Sequence, residues 1–311
     1  MYKNKPASIK LPNEYEVGTE VEVQENQIND REFNMNWLKT LSSWKNKKRK
    51  LLEHLGVYKQ DILNIPEDGF WEDKDGDELY YVHILPESKK EENIIKSAYT
   101  ESIKATLAAK AADIHPGFKN LNSSQAFAFN FFQPIIDEKI IHELIPSAIN
   151  ATHPEFEKKN EDDTQFDFYF ESNNLKYSFE VKYTEEDFGI APNDEKHVEK
   201  WNTLYKVKLM KILDNEITSE EFFEEYQLWR NICFTADNYE VRFVFPRFRN
   251  DLAGKVEAAK QKCKDDFKKK IDIIFVDNFV NKMIASDNSR LKDHYSEFKR
   301  KYLPEILNKL Q

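Results

Sequence analysis

TQFDFYFESNNLKYSFEVKYTE, residues 164–185, is built of two alternating runs on either side of Ser172-Asn173-Asn174. Apolar and polar residues change places at every step, the period of a β-strand, so the stretch predicts a β-hairpin. On the first strand Phe166, Phe168 and Phe170 share one face, and Gln165, Asp167, Tyr169 and Glu171 the other. On the second, Leu175, Tyr177, Phe179, Val181 and Tyr183 lie opposite Lys176, Ser178, Glu180, Lys182 and Thr184.

Asn173-Asn174 suits a two-residue turn, and that turn fixes the register. Phe168 then meets Phe179, Phe170 meets Tyr177, Asp167 faces Glu180 and Gln165 faces Lys182. A three-residue loop would set Phe166 against Glu180, so the apolar pattern selects the shorter one. Facing residues lie about 4.5–5.5 Å apart, where two carboxylates repel unless a cation stands between them. Lys182 is two residues beyond Glu180, roughly 7 Å along the same face. Two acids and a lysine thus converge on one sheet surface, a candidate divalent-metal site. Other acid-x-Lys triplets, such as Glu87-Ser88-Lys89 and Asp266-Phe267-Lys268, lack the strand context and the facing acid. The competing reading is an ordinary amphipathic hairpin with a solvated polar face.

Asp167, a tight turn, then Glu180-Val181-Lys182 on an apolar strand resembles the PD-(D/E)xK nuclease superfamily, which has the restriction-endonuclease-like fold. The resemblance implies Mg²⁺, with Mn²⁺ able to substitute, held by Asp167 and Glu180. It implies Lys182 as the catalytic lysine that positions or activates the attacking water. Phe166 stands where a Pro often precedes the Asp, a position that varies in the superfamily. The resemblance covers about residues 122–246 and implies the core order helix, three strands, helix, strand. An apolar helix at 122–133, with Asn122 as N-cap and Pro134 as its limit, takes the first place. Gln125 is its candidate polar contribution to the metal site, and capping of its own helix is the alternative role. Pro154 to Lys158 takes the first-strand place, with Glu157 a candidate extra acid; Gln165, facing Lys182, completes the accessory set.

Composition bounds the rest. The 311 residues are 40% hydrophobic and 14% aromatic, with Gly at 7 and Pro at 11. A substantial core is expected, and long flexible linkers are not. Cys233 and Cys263 have no metal-type spacing, and two cysteines in a chain of this size fit a reducing cytoplasm. No stretch reaches the ~18 apolar residues of a membrane span. A net charge of −10 argues against indiscriminate nucleic-acid binding, so local clusters matter. Lys45, Lys47, Lys48, Arg49 and Lys50 form one and Lys262, Lys264, Lys268, Lys269 and Lys270 another; each reads first as a solvated helix face.

Outward from the hairpin, residues 1–30 read as loosely structured. Residues 31–62 read as one or two helices packing through Trp37 and Trp44 and broken at Gly56. Trp71 to Asp77 reads as a turn before a strand at 79–85, lacking the Gly and Glu placement of a Ca²⁺ loop. A helix is expected over 91–112, stopped by His115-Pro116-Gly117. Further helices are expected at 201–213, 218–235, 252–268 and 289–310, and strands at 241–245 and 271–276. Phe222, Tyr226, Trp229 and Cys233 form the apolar stripe of the 218–235 helix. Gln227, Arg230 and Asn231 lie off it and are candidate contacts to a phosphate or base.

The expected architecture is α/β (mixed α+β): a restriction-endonuclease-like core with a central mixed sheet of four to five strands flanked by helices. Residues 1–118 would form a mainly helical accessory region, 119–285 the core, and 286–311 a C-terminal helix packed on it. The expected function is a cytoplasmic, Mg²⁺-dependent nuclease acting on DNA, RNA being left open, with no membrane partner and a homodimer suited to paired cuts. The alternative is a non-catalytic nucleic-acid- or protein-binding module on the same fold.

Overall fold

The computed structural model describes residues 43–73, 75–160 and 164–308. The segment 1–30 and the part of the first expected helix that carries Phe33, Trp37 and Leu41 lie outside the described residues. The central element is a five-stranded sheet in the order β3 (Thr152–Lys159), β4 (Gln165–Ser172), β5 (Leu175–Val181), β6 (Tyr239–Phe245), β7 (Ile271–Phe275). The pairs β3–β4 and β4–β5 are antiparallel, and β5–β6 and β6–β7 are parallel. A separate hairpin pairs β1 (Gly69–Glu72) with β2 (Glu78–Tyr81). The main helices are α1 (Trp44–Asp61), α2 (Thr100–Ala109), α3 (Ser124–Asp137), α4 (Tyr226–Cys233), α5 (Asn250–Gln261), α6 (Val276–Ile284) and α7 (Ser289–Tyr302). The helix–three strands–helix–strand order of a restriction-endonuclease-like core is therefore present from α3 to β6.

The 164–185 hairpin has the register read from its turn, with Phe168 opposite Phe179 and Ser172 opposite Leu175. Asn173 and Asn174 both have positive φ, 53° and 60°, which a type I′ turn demands and asparagine tolerates. Phe166 departs from expectation. It packs not with Phe168 and Phe170 but on the other side, against Phe234 and Tyr239, with ring centroids 4.9 and 5.6 Å away. The reason lies in the ladder: the Val181 N–H is taken by the Asp167 carboxylate, at 2.6 Å, where β4 parts from β5.

Two cores sandwich the sheet. One face packs Phe168, Phe170, Phe179 and Tyr183 against α3 and α7, with Phe132 stacked on Phe168 at 4.2 Å. The 44–118 segment supplies Leu51, Leu55, Tyr99 and Ile103 to this same core. The other face packs Tyr169, Val241 and Phe243 against the helices that follow β5 and against α5.

Several boundaries differ from the sequence reading, each for a tertiary reason. Gly56 does not break α1; it lets the helix approach Val82, whose side chain a Cβ there would meet at 2.9 Å. The segment expected as one helix over 91–112 opens as a 3₁₀ turn (Glu87–Asn93), because Asn93 is buried and its side chain bridges the Phe118 and Asn120 carbonyls; α2 starts only at Thr100. The strand at 79–85 is confined to β2, as far as Tyr81. The N-cap of α3 is Ser123, which accepts from the Ala126 N–H, while Asn122 donates to Thr184. Pro134 lies inside α3: the Asn130 carbonyl, deprived of a helical donor, has His294 Nε2 at 2.7 Å instead. The 218–235 helix is split at Glu225, where φ −127° and ψ 51° leave the helical region, into Ser219–Glu224 and α4. The helix expected at 201–213 starts earlier, at Glu195, through a π turn over Trp201–Tyr205. The 252–268 helix ends at Gln261 and resumes for one turn at Asp265–Lys268, and α7 ends at Tyr302. Helix α6, which buries Phe279, Val280 and Met283, follows β7 directly and was missed because its apolar residues continue those of the strand.

Candidate active site

The sheet register lines up three carboxylates. Asp167 on β4 and Glu180 on β5 come one step beyond the last β4–β5 pair, Phe168–Phe179, and Glu157 on β3 falls between the Phe156–Phe168 and Lys158–Phe166 pairs, beside Asp167. Glu157 has φ 51°, a left-handed conformation rare for a non-glycine residue within a strand. The polar face of the hairpin is not solvated here: Glu180 is 4% exposed, Lys182 6% and Glu157 7%. They border a cleft of about 890 Å³, together with Asp167, Gln125 and Glu185. An ordinary surface hairpin would leave such side chains in water, so the solvated-face alternative is excluded.

Each charge is fixed by a partner. Lys182 Nζ is 2.9 Å from Glu180 Oε1 and donates to Gln227 Oε1 at 2.6 Å. Asn231 Nδ2 donates to Glu180 Oε2 at 2.8 Å. Gln125 Nε2 donates to Glu157 at 2.7 Å and to the Asp113 carbonyl at 2.9 Å, while its oxygen accepts the His115 N–H. Gln125 thus serves the carboxylate row and not the cap of its own helix. Just beyond β5, the Lys182 N–H donates to the Val244 carbonyl of β6 at 2.9 Å.

The electrostatics follow from burial and crowding. Burial, with Glu180 and Glu157 nearby, holds the Asp167 carboxyl well above the usual carboxylate range. Burial, with Asp113 and Glu180 adding to it, pushes Glu157 up to about 7 against the Gln125 hydrogen bond. Burial opposes the charge on Lys182, but Glu180, Glu185 and Asp167 outweigh it and raise the pKa of its ammonium. Glu185 goes the other way. Burial works against its charge, and Lys182, the Ser124 hydroxyl and the Tyr183 N–H prevail. With Asp167 and Glu157 held up by burial and by neighbouring acids, the row has room for more positive charge than Lys182 supplies. Among the described residues no group of three or more His, Cys, Asp or Glu side chains converges in ligating geometry. Asp167 and Glu180 remain a pair of hard oxygen donors, the one or two carboxylates by which Mg²⁺ is usually held.

The structure brings Asp167, Glu180, Lys182, Gln125, Glu157 and Gln165 to one cleft. Gln227 and Arg230 border it as well, Arg230 with its guanidinium over the Tyr226 ring at 5.5 Å. Asn231 is corrected: it is 1% exposed, its amide bound to Glu180 and the Gln227 carbonyl, so it sits behind the carboxylate and not where a phosphate could reach. The sequence reading missed Glu185, which follows the strand by a few residues and carries no pattern of its own. It also missed Asp113, brought in by a 3₁₀ turn. The basic clusters divide. Lys47 is buried against the Phe248 carbonyl, and Lys48 pairs with Glu186 at 2.8 Å on the cleft rim. Lys262, Lys268 and Lys269 instead pair with Glu221, Asp265 and Asp266 away from the cleft.

A mixed sheet between helices, with an acid, an acid and a lysine on its central hairpin, defines a restriction-endonuclease-like protein. The family model described as Restriction Endonuclease associating with ARP matches residues 39–303, and the chain belongs to that family. No curated protein and no solved structure matches it. Among the described residues no helix is long and apolar enough to cross a membrane.

Proposed function

We propose that this protein is a divalent-cation-dependent nuclease that hydrolyses phosphodiester bonds of DNA, with Asp167 and Glu180 as metal ligands and Lys182 as the catalytic lysine. The observation that carries this reading is that Glu180 and Lys182, both buried, and the half-buried Asp167 line one cleft. A restriction-endonuclease family supports DNA as the substrate. The donor set suits Mg²⁺, with Mn²⁺ as its substitute: all-oxygen ligands in an acid-rich site. When bound, the ion would polarise the scissile phosphate and lower the pKa of its water.

The chain's own residues do the rest. Glu180 shares its charge between Lys182 on one oxygen and Asn231 on the other, which fixes the direction of the carboxylate. Lys182 keeps its proton under the influence of three acids, so it acts as a cation that orients the attacking water and stabilises charge developing on the phosphoryl oxygens. Excess acidity around the cleft disfavours phosphate binding without a cation, which counts against a metal-free binding module.

Supercoiled plasmid incubated with the purified protein and Mg²⁺ or Mn²⁺ should be nicked or linearised. Chelator should prevent this, and Asp167→Asn should lose about 10²–10³-fold in rate. Metal-dependent cleavage by Asp167→Asn near the wild-type rate would exclude the mechanism. Binding of plasmid without cleavage by the wild type would favour the binding-module reading.

A further inference from the structure

One turn of α4 presents two side-chain amides, Gln227 and Asn231, on the same helix face four residues apart. Both reach the Glu180-Val181-Lys182 segment. Asn231 donates to Glu180 Oε2 at 2.8 Å, and Gln227 Oε1 accepts from Lys182 Nζ at 2.6 Å. The remaining Glu180 oxygen lies 2.9 Å from Lys182, so the four side chains close a chain: Asn231, Glu180, Lys182, Gln227. The Gln227 carbonyl also accepts from Asn231 Nδ2 at 2.8 Å and ties its two ends together.

The helix is held in place for this. Its first two N–H groups, Tyr226 and Gln227, donate to the carbonyls of Gly189 and Phe188, each at 2.9 Å, so the loop that leaves the hairpin caps the helix. Gly189 adopts φ +71° and runs so close that a Cβ there would meet Gln227 Oε1 at 3.3 Å. Hairpin, loop and helix therefore form one closed frame around the acid and the lysine.

From this geometry we infer that Gln227 and Asn231 are positioning residues of the cleft: Gln227 sets the direction of the Lys182 ammonium, and Asn231 sets that of the Glu180 carboxylate. The amide chemistry fits the task. Gln227 offers lysine a neutral acceptor, which directs the ammonium without neutralising it. Asn231 offers the carboxylate a neutral donor, which leaves its charge available to a cation. A lysine in place of Asn231 would occupy that charge, and a leucine in place of Gln227 would leave the ammonium free to rotate. This inference rests on the nuclease reading for its consequence in rate, and on geometry alone for the contacts.

Two measurements on the full chain test it separately. In plasmid cleavage with Mg²⁺, Gln227→Ala should lower kcat about 10–100-fold, the usual cost of losing a partner behind a reacting group, with KM within about twofold. Gln227→Glu, which keeps an acceptor oxygen at the same reach but adds a negative charge, should restore the direction of the ammonium and only part of the rate. Asn231→Ala, which removes the donor and frees the Glu180 carboxylate to turn, should raise the Mg²⁺ concentration needed for half-maximal rate.

The second measurement needs no activity. With lysine labelled at Nζ, the Lys182 ammonium, identified by its loss in Lys182→Ala, should give a solvent-protected NMR signal. That signal should persist in Gln227→Glu and exchange rapidly in Gln227→Ala. An unchanged Lys182 signal together with an unchanged kcat in Gln227→Ala would overturn the inference. If no form of the protein cuts and the signal still responds as stated, the positioning contact stands and the nuclease reading falls.

Discussion

The two faces of the five-stranded sheet come from the same hairpin and are packed to different ends. Toward α3 and α7 the face is almost entirely aromatic: Phe132 on Phe168 at 4.2 Å, Phe127 on Tyr183 at 5.0 Å, Phe170 on Tyr177 at 4.6 Å. Toward α4 the face begins the same way, with Tyr169 in an apolar core, and then gives way within two residues to Asp167, Glu180 and Lys182. The first face carries one ion pair, Arg242 with Glu240 at 2.8 Å, whereas the second gathers its acids and a lysine at a cleft. The first face anchors strands whose geometry the second needs, and the second tolerates buried charge because every charge there has a hydrogen-bonded partner. Under the proposed function, stability and chemistry thus fall on opposite sides of one pleated sheet.

Substitutions on the two faces should therefore separate. Phe127→Ala removes a ring that touches Phe131, Tyr183, Phe298 and Tyr302, and should cost about 3–5 kcal/mol of stability. Lys182→Ala should cost about 10²–10³-fold in cleavage rate with a smaller loss of stability. Denaturant midpoints and plasmid cleavage on the same preparations would check the pair. Equal loss of stability in both variants would erase the division of labour between the faces.

A smaller effect is expected from pH. Glu157, buried and beside Asp113 and Glu180, is held up at about 7 against the Gln125 hydrogen bond and Lys110. A carboxyl whose pKa is raised by folding contributes stability that is complete below its ordinary value and is lost as pH rises through the folded one. In metal-free protein this contribution should fade between about pH 4.5 and 7, and Asp167 adds to it with the same sign. Half-buried His83 and buried His294, both held down at about 4 by loss of solvent, pull the opposite way as pH rises. The readout is accordingly the difference in Tm between wild type and Glu157→Gln, which should shift toward the variant as pH rises from 5 to 8. A pH-independent difference would place Glu157 outside the acid row.

The smallest effect concerns the second basic cluster. Lys268 and Lys269 face Asp265 and Asp266 on a single exposed turn, so Lys268→Gln with Lys269→Gln should change stability by less than about 0.5 kcal/mol. The salt dependence of DNA binding should also stay the same; a slope reduced by about one or more per lysine would show that this turn meets phosphate.

How much of this was legible beforehand depended on how local the signal was. The hairpin was readable because a period of two, interrupted by Asn-Asn, leaves one register in which Phe meets Phe and acid meets acid. The Glu180-Val181-Lys182 triplet stood out from its many look-alikes only through that register. Phe166 was misplaced because alternation presumes an unbroken ladder, and a side chain, Asp167, broke it. Gln227 and Asn231 were visible as residues off the apolar stripe of a helix, but a stripe says only which face is inward and not what lies across the gap.

By itself the sequence determined the strand pairing at the centre of the protein, the buried character of α3 and the identity of the acid, acid and lysine that share a face. Those follow from side-chain period and turn chemistry, which act over a few residues. Only the tertiary structure decided that this face would line a cleft and not lie open on the surface, that Glu157 would join the row through a left-handed turn of its backbone, that Pro134 could sit inside a helix because His294 serves the Asn130 carbonyl, and that α4 would bring Gln227 and Asn231 to Lys182 and Glu180. Each of these joins residues tens to hundreds of positions apart, and their contact is set by how the two cores close over the sheet, which no local pattern encodes.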